Sequence, residues 1–323
     1  MQTTDFGTTT SGAAVHAVTI AAGDLTARIL TLGCTLQSVH LNGTAHSLTL
    51  GSDSLADYDA EMLYFGAIVG PVANRITAAK TTLNGQPRSF PANENGNLLH
   101  GGKIGTHRKI WTIANASPDS VTLTLALANG EDGFPGSRQI TAHFQITPPA
   151  TLRLTLSATT DAPTLMNLAN HSYWNLDGTP TWAGHSLQIA ADHTLPVDAA
   201  LLPTGAIADV TGTAFDFHTL RPLVAGAPPL DTNFCLSEAK TALRPVATLQ
   251  GASGLTMTLA TTEPGLQIYD AQRTARPGRS PYEGLAIEAQ GWPDAPNHAN
   301  FPSVQISEDA PYHQTTEWRF TNH

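Results

Sequence analysis

Hydrophobic and polar residues alternate with a period of two over much of the chain. Val121-Thr-Leu-Thr-Leu-Ala-Leu127 puts its valine and leucines on one side of an extended backbone and its threonines on the other. Leu152-Arg-Leu-Thr-Leu156 and Leu255-Thr-Met-Thr-Leu259 repeat the pattern. Threonine suits the outward positions because it is polar yet β-branched, and so favours extended backbone. Asn42-Gly43 and Asn84-Gly85 supply residues that tolerate positive φ, the signature of two-residue hairpin turns. Helical signals are few: Asp53 to Glu61 predicts one short helix, and no amphipathic repeat of a dozen residues occurs. The pattern predicts an all-β fold of packed antiparallel sheets. No Ser/Gly linker, charge run or fixed-period repeat divides it, so residues 1–323 are expected to form one domain. Pro148-Pro149 and Pro228-Pro229 read as loop punctuation.

Composition narrows the functional classes. The 323 residues carry 16 Lys+Arg against 26 Asp+Glu, a formal net charge of −10. Lysine occurs only at Lys80, Lys103, Lys109 and Lys240, which argues against nucleic acid or an anionic membrane as partner. A hydrophobic content of 41% argues against disorder, and no apolar run is long enough for a membrane-crossing helix. Cys34 and Cys235 are too few for a disulfide scaffold or a thiolate zinc site and are expected as buried free thiols. The polar segment Met1–Ser11 lacks a basic region followed by an apolar one, so no signal peptide and a cytoplasmic location are expected. The 13 histidines show no His-x-His or His-x3-His pair with an acidic third ligand, so no metal site is expected.

Four segments concentrate chemistry. In the first, Asn74-Arg75 is followed by Leu98-Leu99-His100-Gly101-Gly102, where glycines let backbone or ligand approach the imidazole. The second, Met166-Asn-Leu-Ala-Asn-His-Ser-Tyr-Trp-Asn-Leu176, is costly to bury unless each polar group finds a partner. Sugar hydroxyls would satisfy its amides and imidazole, and sugar C–H faces would suit Tyr173 or Trp174; a hydrogen-bonded loop staple is the plainer alternative. The third, Asp231-Thr-Asn-Phe234, by itself reads better as an Asx-turn than as a site. The fourth, Leu285-Ala-Ile-Glu-Ala-Gln-Gly-Trp-Pro-Asp-Ala295, sets Glu288 on a strand among apolar neighbours. A carboxylate there is unusual unless it works, and desolvation raises its pKa toward that of a general base.

Taken in order, these segments resemble the galactose mutarotase (aldose 1-epimerase) family. The likeness runs from Asp5-Phe6-Gly7 through Ala73-Asn74-Arg75-Ile76, Leu99-His100-Gly101-Gly102 and Asn170-His171-Ser172-Tyr173-Trp174. It continues through Leu202-Pro203-Thr204-Gly205, Pro264-Gly265-Leu266-Gln267 and Glu288-Ala289-Gln290 to Asn300-Phe301-Pro302. The resemblance implies a large antiparallel β-sandwich and interconversion of the α and β anomers of a free aldose without cofactor or metal. It further implies Glu288 as general base at the C1 hydroxyl, His171 as general acid at the ring oxygen, and His100 as a second imidazole nearby. Asn74, Arg75, Asp231 and Gln267 become hydroxyl partners, and Trp174 and Phe301 wall residues. A protonated histidine facing a carboxylate would give a bell-shaped pH profile, its acidic limb set by Glu288 and its alkaline limb by His171. The chain departs from the family at Gly70-Pro71, Gly105-Thr106-His107, Thr232 and Asp270-Ala271-Gln272-Arg273, all expected around the cleft. Three other readings compete. A hexose-phosphate epimerase would need a cationic clamp, and Arg273, Arg276 and Arg279 lie in a Pro/Gly/Ser-rich loop expected to face solvent. A binding module would have no need of Glu288 and His171 together. A glycoside hydrolase would need Asp231 as a second carboxylate and would leave the histidines idle. The expected partner is a monosaccharide; the oligomeric state is not legible.

Overall fold

A computed structural model describes residues 2–322. Three antiparallel sheets carry most of the strand residues. The largest has nine strands, in the order Thr112–Ala116, Ser120–Leu127, Arg138–Thr147, Thr151–Thr160, Tyr312–Thr321, Thr256–Thr261, Arg244–Gln250, Ser186–Ile189 and Arg221–Pro222. A four-stranded meander joins Gln2–Thr8, Ala14–Ala22, Leu25–Leu30 and Thr35–Leu41. A six-stranded sheet orders Tyr173–Trp174, Leu285–Gln290, Gly265–Tyr269, Asp231–Cys235, His193–Thr194 and Ala208–Asp209. The expected helix is a single turn, Leu55–Tyr58, after Ser54.

The period-two runs explain the packing. Val121, Leu123, Leu125 and Leu127 are buried, while Thr122 and Thr124 are half-buried on the outer face. One apolar cluster takes Leu154, Leu259 and Trp318 from the nine-stranded sheet together with Leu266, Ile268 and Ile287 from the six-stranded one. The two sheets therefore share a core, as sandwich packing requires. Asn84 and Gly85, at φ 49° and 74°, form the two-residue turn between Lys80–Leu83 and Gln86–Ser89, with Leu83 paired to Gln86. Asn42-Gly43 makes a turn as well, with the Thr44 N–H donating to the Leu41 carbonyl at 3.0 Å, but the chain beyond it returns irregularly and adds no ladder strand. Both cysteines are buried and free.

Strand Leu285–Gln290 is buried on both faces. Leu285, Ile287 and Ala289 enter the common core, whereas Ala286, Glu288 and Gln290 point the other way. That second face forms the floor of a cleft.

Candidate active site

The floor of the cleft is written in strand register. Glu288 pairs with Gln267, and Gln267 with Asn233. One row over, Tyr173 pairs with Ala286, Ala286 with Tyr269, and Tyr269 with Asp231. Antiparallel register thus places Glu288, Gln267, Asp231, Tyr173 and Tyr269 on one face. Gln267 ties the two rows, its Nε2 donating to Asp231 Oδ1 at 2.7 Å.

The opposite wall comes from short pairings. Arg75 pairs with Leu99, which brings Asn74 beside His100. Both take left-handed backbone, Asn74 at φ 59° and His100 at φ 50°. The Asn74 N–H donates to His100 Nδ1 at 3.1 Å, and the His100 N–H donates to the Asn74 carbonyl at 3.0 Å. His100 Nδ1 therefore carries no proton, which leaves Nε2 as the N–H donor of the ring. Gly101 is obligatory: a Cβ there would lie 1.9 Å from the Gly70 carbonyl oxygen. His171 follows the strand Ala169–Asn170, and its backbone is pinned by exchange with the 66–67 segment, His171 N–H to the Ala67 carbonyl and Gly66 N–H to the His171 carbonyl, each 2.9 Å.

These elements enclose a cavity of about 350 Å³ lined by Asn74, Arg75, His100, His171, Asp231, Gln267 and Glu288, with tyrosine faces from Tyr64, Tyr173 and Tyr269. His171 Nε2 stands 3.6 Å from Glu288 Oε1. The Tyr64 ring packs 4.8 Å from His100 and 6.0 Å from His171, and it also covers the buried His107 at 4.9 Å. Burial pushes the Glu288 carboxyl well above the usual carboxylate range; the nearby Asp231 adds to this and Arg75 opposes it. Burial pulls His171 down to about 4 and His100 well below its ordinary value. Burial therefore disfavours the charged form of both groups.

Two expected wall residues lie elsewhere. Trp174 is fully buried and packs on Trp318 and Phe320, 5.7 and 5.8 Å away, in the common core. Adjacent residues on a strand face opposite ways, so Tyr173 meets the cleft and Trp174 cannot. Phe301 packs edge-on against Trp292 at 5.1 Å in a satellite cluster and does not line the cavity. Arg276, expected in solvent, is half-buried and holds Glu283 through Nε and NH2 at 3.0 and 2.6 Å.

Glu94 is the main residue that sequence reasoning missed. It grips Arg75 with two hydrogen bonds, Nε to Oε2 at 2.6 Å and NH2 to Oε1 at 2.8 Å, fixing the plane of the guanidinium at the cleft. Its setting, Asn93-Glu-Asn-Gly-Asn97, reads as an ordinary polar turn; the only signal was its position just ahead of the His-Gly-Gly segment. Gln272, Arg273 and Thr274 also reach the rim.

The cleft is polar, lies in an all-β sandwich and pairs a buried carboxylate with an imidazole, an arrangement suited to acid–base chemistry on a hydroxylated ligand. The family model described as aldose 1-epimerase matches residues 16–319. Galactose mutarotase of Rattus norvegicus is 34% identical over 96% of this chain and 95% of its own length. Aldose 1-epimerase of Escherichia coli K12 is 31% identical over 89% and 90%. Among solved structures, an aldose epimerase homologue from C. elegans superposes with a TM-score of 0.86 at 31% identity, covering 95% of this chain and 98% of that one. The galactose 1-epimerase of Lactobacillus acidophilus gives 0.87 at 26% identity, covering 100% and 99%. The chain belongs to the aldose 1-epimerase family, and it is a mutarotase by function. Among the described residues, no helix is long and apolar enough to cross a membrane.

Proposed function

We propose that the protein interconverts the α and β anomers of a free aldose by proton transfer from the sugar to Glu288 and from His171 to the sugar. The observation that carries this reading is the 3.6 Å approach of these two buried groups at the cleft. Opening a hemiacetal removes a proton from the C1 hydroxyl and delivers one to the ring oxygen. Glu288 takes the first and His171 gives the second, which leaves Glu288 protonated and His171 neutral. Burial favours that same pair of neutral forms, so the environment stabilises the protonation state that accompanies the open aldehyde. Rotation about C1–C2 and reclosure then run the transfers in reverse. His100 donates from Nε2 toward an oxygen at C1 or in the ring, while Asn74, Arg75, Asp231 and Gln267 hold the remaining hydroxyls. Burial raises the Asp231 carboxyl above its ordinary value, and Arg75 and Gln267 oppose that shift.

No step calls for redox chemistry, so turnover is proposed to need neither cofactor nor metal. Galactose, named in several relatives, is the first sugar to test, and free buried cysteines suit the reducing environment of a proposed cytoplasmic location. Polarimetry of freshly dissolved α-D-galactose and α-D-glucose, with protein dialysed against chelator, is the test. Optical rotation should reach equilibrium faster with protein than without. Loss of the effect on chelation and its return with a divalent metal would overturn the mechanism.

A further inference from the structure

A second cleft, of about 570 Å³, shares one loop with the first. Residues 270–284 send Arg273 and Thr274 to the rim of the sugar cleft and Arg276 and Arg279 to the second. Its floor is strand Thr35–Leu41 and the segment around Gly51, which lies so close that a Cβ at Gly51 would stand 1.9 Å from the Gln37 carbonyl oxygen. The side chain of Gln37, a residue only 6% exposed, donates through Nε2 to the Ser52 carbonyl and Asp53 Oδ1 at 3.1 and 3.2 Å. Its Oε1 is buried with no partner.

Charge in this cleft is unevenly satisfied. Arg276 is fully committed, to Glu283 and to the Gly51 carbonyl at 2.6 Å. Arg279 is 3.7 Å from the already occupied Glu283, beyond hydrogen-bond length, and its side chain is 56% exposed. Arg28 lies over the Phe6 ring, 5.2 Å from its centroid, and its carboxylate partner is Asp53, at 3.4 Å, whose side chain is 91% exposed. Two guanidiniums therefore keep free donors in a concave site of a protein whose net charge is −10. The rest of the lining is mainly hydroxyl, amide and imidazole, including Thr26, Ser38 and His40, with no aromatic platform. Guanidinium forks match phosphate oxygens, and lining hydroxyl and imidazole groups match the hydroxyls of a polyol.

We propose that this cleft binds a small phosphorylated polyol of the sugar-phosphate class, its phosphate held by Arg28 and Arg279 and its hydroxyls by the side chains of Thr26, Ser38 and His40. Because one loop walls both clefts, the test separates them. D-glucose 6-phosphate, inorganic phosphate and D-glucose are titrated calorimetrically into the parent chain, Asp231→Asn, Arg279→Gln and Arg28→Gln/Arg279→Gln. Glucose 6-phosphate should bind saturably, equally well in Asp231→Asn, and about tenfold or more weakly in the double arginine variant. Arg279→Gln, at an exposed position, should already show part of that loss if the double variant proves unstable. Both arginine variants should keep parental mutarotation of free sugar. No saturable binding at millimolar ligand would overturn the proposal, as would binding lost in Asp231→Asn but kept without the arginines. Inorganic phosphate binding as tightly as glucose 6-phosphate would remove the polyol from the assignment.

Discussion

Glu288 and His171 differ from free carboxyl and imidazole mainly because both are buried. A protonated acid facing an ionised base would put the acidic limb of activity on Glu288 and the alkaline limb on His171. The shifts reverse that order, since the Glu288 pKa is raised well above its usual range and that of His171 falls to about 4. Activity needs one proton on the pair. Below about pH 4 His171 gains a second proton, and above the raised Glu288 value the pair loses its only one; the apparent values belong to the pair. Glu288→Gln should lower kcat by roughly 10²–10⁴ and remove the acidic limb, since no carboxylate is left to protonate, while loss of the His171 proton keeps an alkaline one. An acidic limb kept in that variant would take the base role away from Glu288. Asp231→Asn tests recognition: with Gln267 still beside it, a hydroxyl partner distant from C1 should raise KM more than it lowers kcat. Steady-state polarimetry that found a thousandfold drop in kcat at constant KM would place Asp231 in the chemistry.

At the scale of elements, one two-residue strand divides two jobs. Tyr173 and Trp174 pair with Ala286 and Leu285 and face opposite sides of the six-stranded sheet. Trp174→Ala should leave a large cavity beside Trp318 and Phe320 and cost about 3–5 kcal/mol of stability. Tyr173→Leu removes a ring 5.1 Å from His171, so it should act chiefly on kcat/KM. Denaturant unfolding and polarimetry on the same two variants check the division; equal stability losses and equal activity losses would contradict it. The pairing of Asn74-Arg75 with Leu98–His100 does similar work, converting a left-handed asparagine into the hydrogen bond that selects the His100 tautomer.

For the whole molecule, burying a histidine cluster makes stability depend on acidity. His107 is buried with neither ring nitrogen hydrogen-bonded, and its pKa falls to about 3. His171 falls to about 4, and His100 moves the same way. The folded forms stay neutral while the unfolded chain takes up protons below about pH 6.5, so stability is lost as pH falls from there toward the folded values. Each site contributes a slope of up to about 1.4 kcal/mol per pH unit. The raised carboxyl of Glu288 works oppositely, losing stability as pH rises above the ordinary carboxylate value. His107→Phe keeps a ring against Tyr64 and removes one such site. Urea unfolding at pH 7 and pH 4.5 should show a smaller difference between the two conditions than in the parent, and an unchanged difference would mean that His107 is protonated in the fold. We propose that the shared core makes the chain one folding unit, for which calorimetry should record a single transition.

Much of this was determined by local pattern. Alternating Val/Leu and Thr fixes which side of each strand is buried, because side chains alternate whatever the strand pairs with, and this was enough for an all-β assignment and for setting Glu288 opposite Leu285 and Ile287. Residue type and order likewise marked Asn74, Arg75, His100, His171 and Asp231, the family resemblance added Gln267, and the fold gathers all six around one cavity. Pattern could not say which face of a fully buried strand meets ligand and which meets core. Tyr173 and Trp174 look alike in sequence, and only the pairing of their strand with Leu285–Gln290 sends one to the cleft and the other to Trp318. Glu94 and Arg276 escaped for a related reason, since their roles depend on partners that turns and loops bring close: Arg75 for one, Glu283 and the Gly51 carbonyl for the other. The protonation of the Glu288–His171 pair depended most on tertiary structure. Burial is a property of everything packed around a group, and no short stretch of sequence contains it.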